Sequence, residues 1–555
     1  ATIRRQRQMC IRDRDIPMPD GGEECFVLEK TNWVQPNLSE KRNDIKTFRA
    51  WNAHNPKQRL YIVKTKDDFY VIGDSDKGTF FVDRVMQGNE KLYVSYFAKD
   101  AVKPTFQCGV EQEEEMLFRE NEILESASQS IAGNAWGTEL RKYRMAILWT
   151  SGHSANYNND TTAMVNRDIE IIADMNYVCE RDLCITFELA INPDSLIFSD
   201  PATDPYDGLG SITGIINGKI GSENYEIGFA VYGGGGGVSY LGVTCGGAKA
   251  GSQCSNDHWT IVHELGHNMG AGHMMNYCPN WGSNNMEPGA GNSIMSYGGT
   301  GVCGGGHQVP NGRIDYFHGR SIEQMYNKLF LNSNCAENIA TDNNPPAVSV
   351  PNGGFYIPIS TPFELEGTAT DPDGDANFTY SWQQFDSGVG SPPWEPTALD
   401  PLFQLFPHDD SPIRTFPKIE SILNGYNYGE VLPTVSRTLN FRFYARDNHI
   451  GGSAVAYDEL QFFVDGNTGP FEVNYPNDNI AVWAVGQTST VTWNVANTDQ
   501  MPVNCALVDI LLSTDGGYTY PFILAENVAN NGSYEIVVPD TCLLYTSDAA
   551  DEWLR

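Results

Sequence analysis

The segment HELGHNMGAGH, residues 263 to 273, sets three histidines and a glutamate inside eleven residues of a 555-residue chain that holds ten histidines in all. On a helix, His263 and His267 are four apart and share a face, so both imidazoles can reach one ion while Glu264 points beside it. Gly270 can adopt positive φ, end that helix and turn the chain so that His273 supplies a third nitrogen. Three histidines leave a fourth position open, as in catalytic rather than structural zinc sites. The spacing therefore predicts one catalytic Zn²⁺, with Glu264 as the base that takes a proton from the attacking water and returns it to the leaving amine. A surface helix with two incidental histidines would account for the first five residues but not for the longer pattern.

The pattern HExxHxxGxxH resembles the metzincin clan of zinc endopeptidases, whose second mark is a methionine turn below the metal. SIMSY, residues 293 to 297, has that form. The resemblance implies that Met295 forms the apolar floor of the site and that Tyr297 binds the metal or stabilises the oxyanion. Met274, directly after the third histidine, matches none of the familiar subfamily choices. Wider segments, YRMAILWTSG, ERDLCITFEL, YLGVTCGG and DYFHGRSIEQM, are similar to bacterial reprolysin-like proteases, relatives of the snake-venom and ADAM enzymes, over roughly residues 141 to 335. That resemblance implies an α/β catalytic domain with a mixed sheet, and disulfides joining Cys245 to Cys335 and Cys278 to Cys303. A local Cys179 to Cys184 bridge would then leave Cys254 over, although spacing alone cannot settle connectivity. TFQCGVEQ places Cys108 in a setting that resembles a pro-domain cysteine switch, in which a thiolate ligates zinc in the latent form and displaces the water. A Cys25 to Cys108 disulfide, or a buried thiol, is the competing account.

A chain of this length exceeds one hydrophobic core and predicts three or four units. Composition, 41% hydrophobic and 11% aromatic, is that of folded domains. A formal charge of −34 argues against nucleic acid or an anionic membrane as partner and favours divalent cations. No apolar run is long enough to span a bilayer, so no transmembrane anchor is expected. Seven cysteines between Cys179 and Cys335 suit a compartment outside the reducing cytosol, so a secreted or cell-surface protein is expected, its leader missing from the sequence, and the resemblance implies a bacterial one. The two ends, 1–14 and 542–555, differ from the rest in composition and are set aside as non-native tails.

The expected order is a β-rich pro-domain at 15–110 carrying the switch, an acidic linker at 111–140, the zinc-protease domain at 141–340, an Ig-like or PKD-like β-sandwich at 345–466, and a second, truncated sandwich at 470–541. Residues 161–175 are predicted to be a helix, followed by the strand DLCITFELAI. His258, about 140° around the helix from His263, reads as structural. The run Gly233 to Gly237 reads either as a flexible hairpin tip or as bare backbone that lets an extended substrate pair with an edge strand. Asp371, Asp373 and Asp375 would suit either Ca²⁺ or a solvated turn, since Ala376 and Trp382 stand where an EF-hand needs glycine and a carboxylate.

Taken together, these features predict a secreted zinc endopeptidase precursor acting on protein or peptide substrates. The rival is a catalytically silent adhesion protein whose metal-stabilised fold presents sandwiches to surfaces or polysaccharide. An intact Glu264 argues against it, because a silent site needs no base.

Overall fold

The computed structural model describes residues 12–101 and 134–540, except 67, 88–89, 279–283, 305–308, 310–311, 334, 375–376, 427 and 478–480. Cys108, Asp375 and Ala376 lie outside the described residues.

The first unit is an antiparallel meander of seven strands, each paired with the next: β1 (Arg12–Pro17), β2 (Glu23–Thr31), β3 (Lys46–Asn52), β4 (Arg59–Lys64), β5 (Phe69–Ser75), β6 (Gly78–Gln87) and β7 (Glu90–Phe97). β1 begins inside the stretch set aside as a tail, with Arg14 opposite Phe26. One face of the sheet has its own core of Phe26, Leu60, Ile62, Val71 and Phe80. From the other, Trp33, Tyr61, Val63, Tyr70, Ile72 and Phe81 join the core of the middle unit.

After β8 (Ala135–Trp136), the middle unit is built on β9 (Glu139–Trp149), whose last five residues are all buried. Such a run, apolar on both faces, is what a central strand covered by helices on both sides requires. Met145, Ile147 and Trp149 meet the helices α1 (Thr161–Asp182) and α3 (His258–Met269), while Ala146 and Leu148 face α2 (Ile212–Ile220). β9 pairs in parallel with β10 (Ile185–Leu189) and β11 (Ile227–Val231), and β11 in parallel with β13 (Ser252–Cys254). At the far edge β12 (Gly237–Ser239) runs antiparallel to β13, and β14 (Glu337–Ala340) runs antiparallel to the start of β9. The helix α4 (Gly319–Tyr326) precedes β14.

α1 starts where the Asp160 carboxylate accepts from the amides of Thr162 and Ala163, satisfying two otherwise orphaned donors. It runs seven residues beyond Met175, further than its apolar spacing predicts. Its extension is polar yet buried, because the first unit covers it. Glu180 accepts from Arg49, Thr186 and the Tyr61 hydroxyl, and Tyr70 donates to Asp174. The proposed Cys179 to Cys184 bridge is absent: both are free and buried, Cys179 inside the helix and Cys184 against the Gly137 carbonyl. Cys254 is free too, whereas Cys245–Cys335 and Cys278–Cys303 are bonded.

Beyond β14 the described residues form strands, apart from one helix at Ile419–Asn424. A five-stranded sheet contains β19 (Thr379–Gln384), β21 (Arg437–Arg446), β22 (Val455–Asp465), β16 (Tyr356–Pro358) and, from before the middle unit, β8. Two-stranded pairs, β15 (Ala347–Ser349) with β18 (Thr368–Thr370) and β17 (Phe363–Glu366) with β20 (Ile413–Phe416), flank an aromatic core of Trp382, Phe403, Phe416, Phe441, Phe443 and Phe462. The last unit has a three-stranded sheet of β23 (Glu472–Tyr475), β24 (Thr488–Asn494) and β27 (Ser533–Val537), and a pair, β25 (Leu507–Leu512) with β26 (Phe522–Ala529). None of the described helices is long and apolar enough to cross a membrane.

Between middle unit and five-stranded sheet lies a buried ion pair, Arg446 Nη2 to Asp182 Oδ1 at 2.7 Å, with Arg181 also on Asp182. Trp136 of β8 donates its indole N–H to the Asp182 carbonyl.

Candidate metal centre

α3 carries the first two histidines on one face. It opens with Asp257, whose carboxylate accepts from the Thr260 amide, and closes at Gly270, whose φ of 114° lies in the left-handed region that side chains disfavour. The turn brings His273 back, and the Nε2 of His267 lies 3.1 Å from both the Nε2 of His263 and that of His273. Among the described residues these three form the one group of His, Cys, Asp or Glu able to hold a metal.

Each helical imidazole is oriented from behind. His263 Nδ1 faces the Ile294 carbonyl at 2.8 Å and His267 Nδ1 the Ala271 carbonyl at 2.7 Å. Carbonyls accept only, so both Nδ1 atoms carry the proton and both Nε2 lone pairs face inward. Burial lowers His263 well below the usual imidazole range and pulls His267 down to about 4. Both are neutral, the form that binds a cation. Three imidazole nitrogens converging on one point fit Zn²⁺ by donor type and number.

Glu264 is fully buried, and burial pushes its carboxyl up to about 8, opposed by a hydrogen bond from Ser239 and by Arg313. Ser239 Oγ donates to Oε2 at 2.8 Å, while Oε1 has no hydrogen-bond partner among the described residues. One carboxylate oxygen is anchored and the other remains available, which suits a proton carrier. A Cβ on Gly237 would come within 2.4 Å of Glu264 Cγ, so the last glycine of the run is where edge strand β12 meets the base. Met295 is wholly buried beneath the helix, where a Cβ on Gly266 would come within 2.5 Å of its sulfur. The Tyr297 hydroxyl lies 2.9 Å from His273 Nε2. Thus His263, Glu264, His267, His273, Met295 and Tyr297 gather at one place.

Residues 140–329 match a family model described as Reprolysin_4, metallo-peptidase family M12B reprolysin-like. This unit is a reprolysin-like metalloendopeptidase domain. Among solved structures, the chain is similar to the crystal structure of metalloproteinase-II from Bacteroides fragilis, at 10% identity and a TM-score of 0.25, covering 55% of this chain and 88% of that one. A score that low transfers neither fold nor activity. A search of curated proteins finds no match.

Other predicted residues lie elsewhere in the molecule. Asp373 accepts from the amide and side chain of Asn344, at 2.7 and 2.8 Å, and Asp371 accepts from the Asp373 amide at 2.7 Å. These carboxylates close a turn and belong to no three-ligand cluster among the described residues, so the Ca²⁺ reading is not supported. His258 lies between Asp315, at 3.2 Å, and Asp174, at 3.6 Å. Burial opposes its charge, but the two carboxylates outweigh it and hold the imidazolium up to about 10.

Sequence reasoning missed Ser239, Asn284, Glu287 and Arg313. Glu287 is buried and braces the methionine turn, accepting from the amides of Asn292 and Ser293 and the hydroxyls of Ser293 and Ser296. Its one legible signal was a lone glutamate in an otherwise uncharged loop.

Proposed function

We propose that this chain is the precursor of a secreted zinc endopeptidase, with Glu264 as general base and the seven-stranded unit as its pro-domain. The observation that carries the reading is Glu264, one carboxylate oxygen fixed by Ser239 and the other without a hydrogen-bond partner among the described residues, beside three inward-facing Nε2 atoms. Zinc held by His263, His267 and His273 would polarise the scissile carbonyl and lower the pKa of a bound water to about 7.

The protein's own groups do the rest. Glu264 Oε1 takes the proton from the attacking water and passes it to the leaving nitrogen. β12, which has no strand partner on its outer side among the described residues, receives an extended substrate as an added strand. The Tyr297 hydroxyl, already at His273 Nε2, stands where it can donate to the developing oxyanion. In the latent form the Cys108 thiolate would take the water's place. The acidic linker at 111–140 would be the site of activating cleavage, and the two all-β units beyond residue 345 would be Ig-like or PKD-like modules.

Glu264→Ala should lower kcat/KM on a protein substrate by at least about 100-fold, the usual scale of a general base, while zinc content stays at one per chain. A chelator should abolish hydrolysis in the wild type. Undiminished proteolysis by the zinc-loaded variant would overturn the mechanism.

A further inference from the structure

We infer that the loop between β19 and β20, in the sheet unit after the peptidase domain, holds the third metal ligand in place, with Ser387 and Asp400 as positioning residues for His273. The inference rests on the metal-site reading above and goes beyond it, because it assigns part of the active site to residues outside the peptidase domain.

The observation is a chain of hydrogen bonds across the seam. The His273 carbonyl accepts from both the amide and the side chain of Asn284, at 3.1 and 2.9 Å. The Asn284 carbonyl in turn accepts from Ser387 Oγ at 2.9 Å. The next residues exchange two bonds, the Gly388 amide to the Asn285 carbonyl at 2.8 Å and the Asn285 side chain to the Gly388 carbonyl at 3.0 Å. Three positions after His273, Asn276 donates to Asp400 Oδ1 at 3.0 Å and accepts from the Gly390 amide at 3.1 Å. Asp400 is itself fixed, accepting from the Val389 and Thr397 amides and the Thr397 hydroxyl.

The junction has no slack. Asn276, Asn284 and Asp400 are buried, and a Cβ on Gly388 would come within 2.1 Å of Asn276 Oδ1. The same loop reaches the methionine turn, where Asn292 donates to the Leu405 carbonyl at 2.6 Å. His263 and His267 sit on one helix and keep their relative positions without help. His273 is on a turn, so its position depends on what holds the described residues beside it, and part of that hold comes from residues 387–405, alongside Gln324 of α4 and the Cys278–Cys303 disulfide. Direct hydrogen-bond partners of metal ligands change metal affinity by about 10- to 100-fold when removed, and groups that hold such a partner are expected at the low end of that range.

The full chain should be prepared as wild type, Asp400→Ala, Asp400→Asn, Ser387→Ala and Ser387→Thr, each loaded with Co²⁺. The visible absorption band reports ligand geometry, and a chelator series reports affinity, neither needing turnover. Asp400→Ala and Ser387→Ala should shift the band and weaken Co²⁺ retention about tenfold. Ser387→Thr, which keeps the hydroxyl, should recover most of both, and Asp400→Asn, which keeps one acceptor for Asn276 but turns an N–H toward the Thr397 donors, should recover part. Folded alanine variants with wild-type band and affinity would overturn the inference. If Asp400→Ala does not fold, Ser387→Ala, which removes one hydroxyl, decides by the same criterion. A wild-type protein that takes up no Co²⁺ would overturn the metal-site reading and this inference with it, whereas wild-type uptake with unchanged variants overturns this inference alone.

Discussion

His258 shows how one residue can tie three parts of the chain together without entering the chemistry. It opens the active-site helix, pairs with Asp174 of α1 and Asp315 beyond the methionine turn, and packs edge-on against Phe81 of the first sheet. Asp174 is also held by Arg167 and the Tyr70 hydroxyl, so the imidazolium lies inside a buried network of both signs. A pKa raised from 6.5 to about 10 means that its stabilising contribution is complete below about pH 6.5 and disappears as pH rises through about 10. The melting temperature of His258→Gln should therefore fall furthest below wild type at pH 6 and approach it near pH 10. A gap independent of pH would show that the pair of carboxylates does not hold the charge. Residues such as this were only partly legible in the sequence. The spacing of His263 and His267 is local, so helix geometry alone places them together. Ser239 and Glu287 meet the site only through sheet order and loop closure, which no single stretch encodes.

At the scale of elements, α1 is the informative case. Its apolar face was readable from Met164, Ile169, Ile172 and Met175, and that face packs on the central sheet. Its last two turns were not, because their burial comes from a sheet whose contacting residues lie 98 to 131 positions upstream. The Cys179 to Cys184 expectation failed for the same reason, since the helix continues past Cys179 and carries it into the core. Glu180 is the pivot of this contact, buried among Arg49, Tyr61 and Thr186. Removing one partner of such a pair leaves a buried charge and costs about 3 kcal/mol, roughly a hundredfold in association. With an engineered cleavage site opened between residues 102 and 133, Glu180→Ala should release the first sheet on size exclusion under conditions where the cleaved wild type stays associated. Co-elution of both forms would show that apolar contact alone holds the sheet.

At the scale of the whole molecule, the peptidase domain and the sheet unit after it share buried charge as well as loops. The ion pair of Arg446 with Asp182 is almost fully enclosed, their side chains 1% and 0% exposed. Arg446→Ala should lower the free energy of urea unfolding by about 3 kcal/mol, the low end for a broken buried pair because Arg181 stays beside Asp182. A loss below about 1 kcal/mol would mean that the two units do not unfold together. Composition and hydrophobic period announced several β-rich units but not this seam, because its polar members look like surface residues until both sides are assembled.

β8 gives the seam an order in time. Ala135 and Trp136 precede the peptidase domain, yet their strand partners, Ala456 and Val455, are made about 320 residues later. At the usual 5 to 20 residues per second, a nascent chain would carry its histidine helix for about 10 to 40 s before the last strand of that sheet exists. Synthesis itself therefore acts as a clock, and the sheet that begins before the peptidase domain closes only after the whole of that domain has left the ribosome.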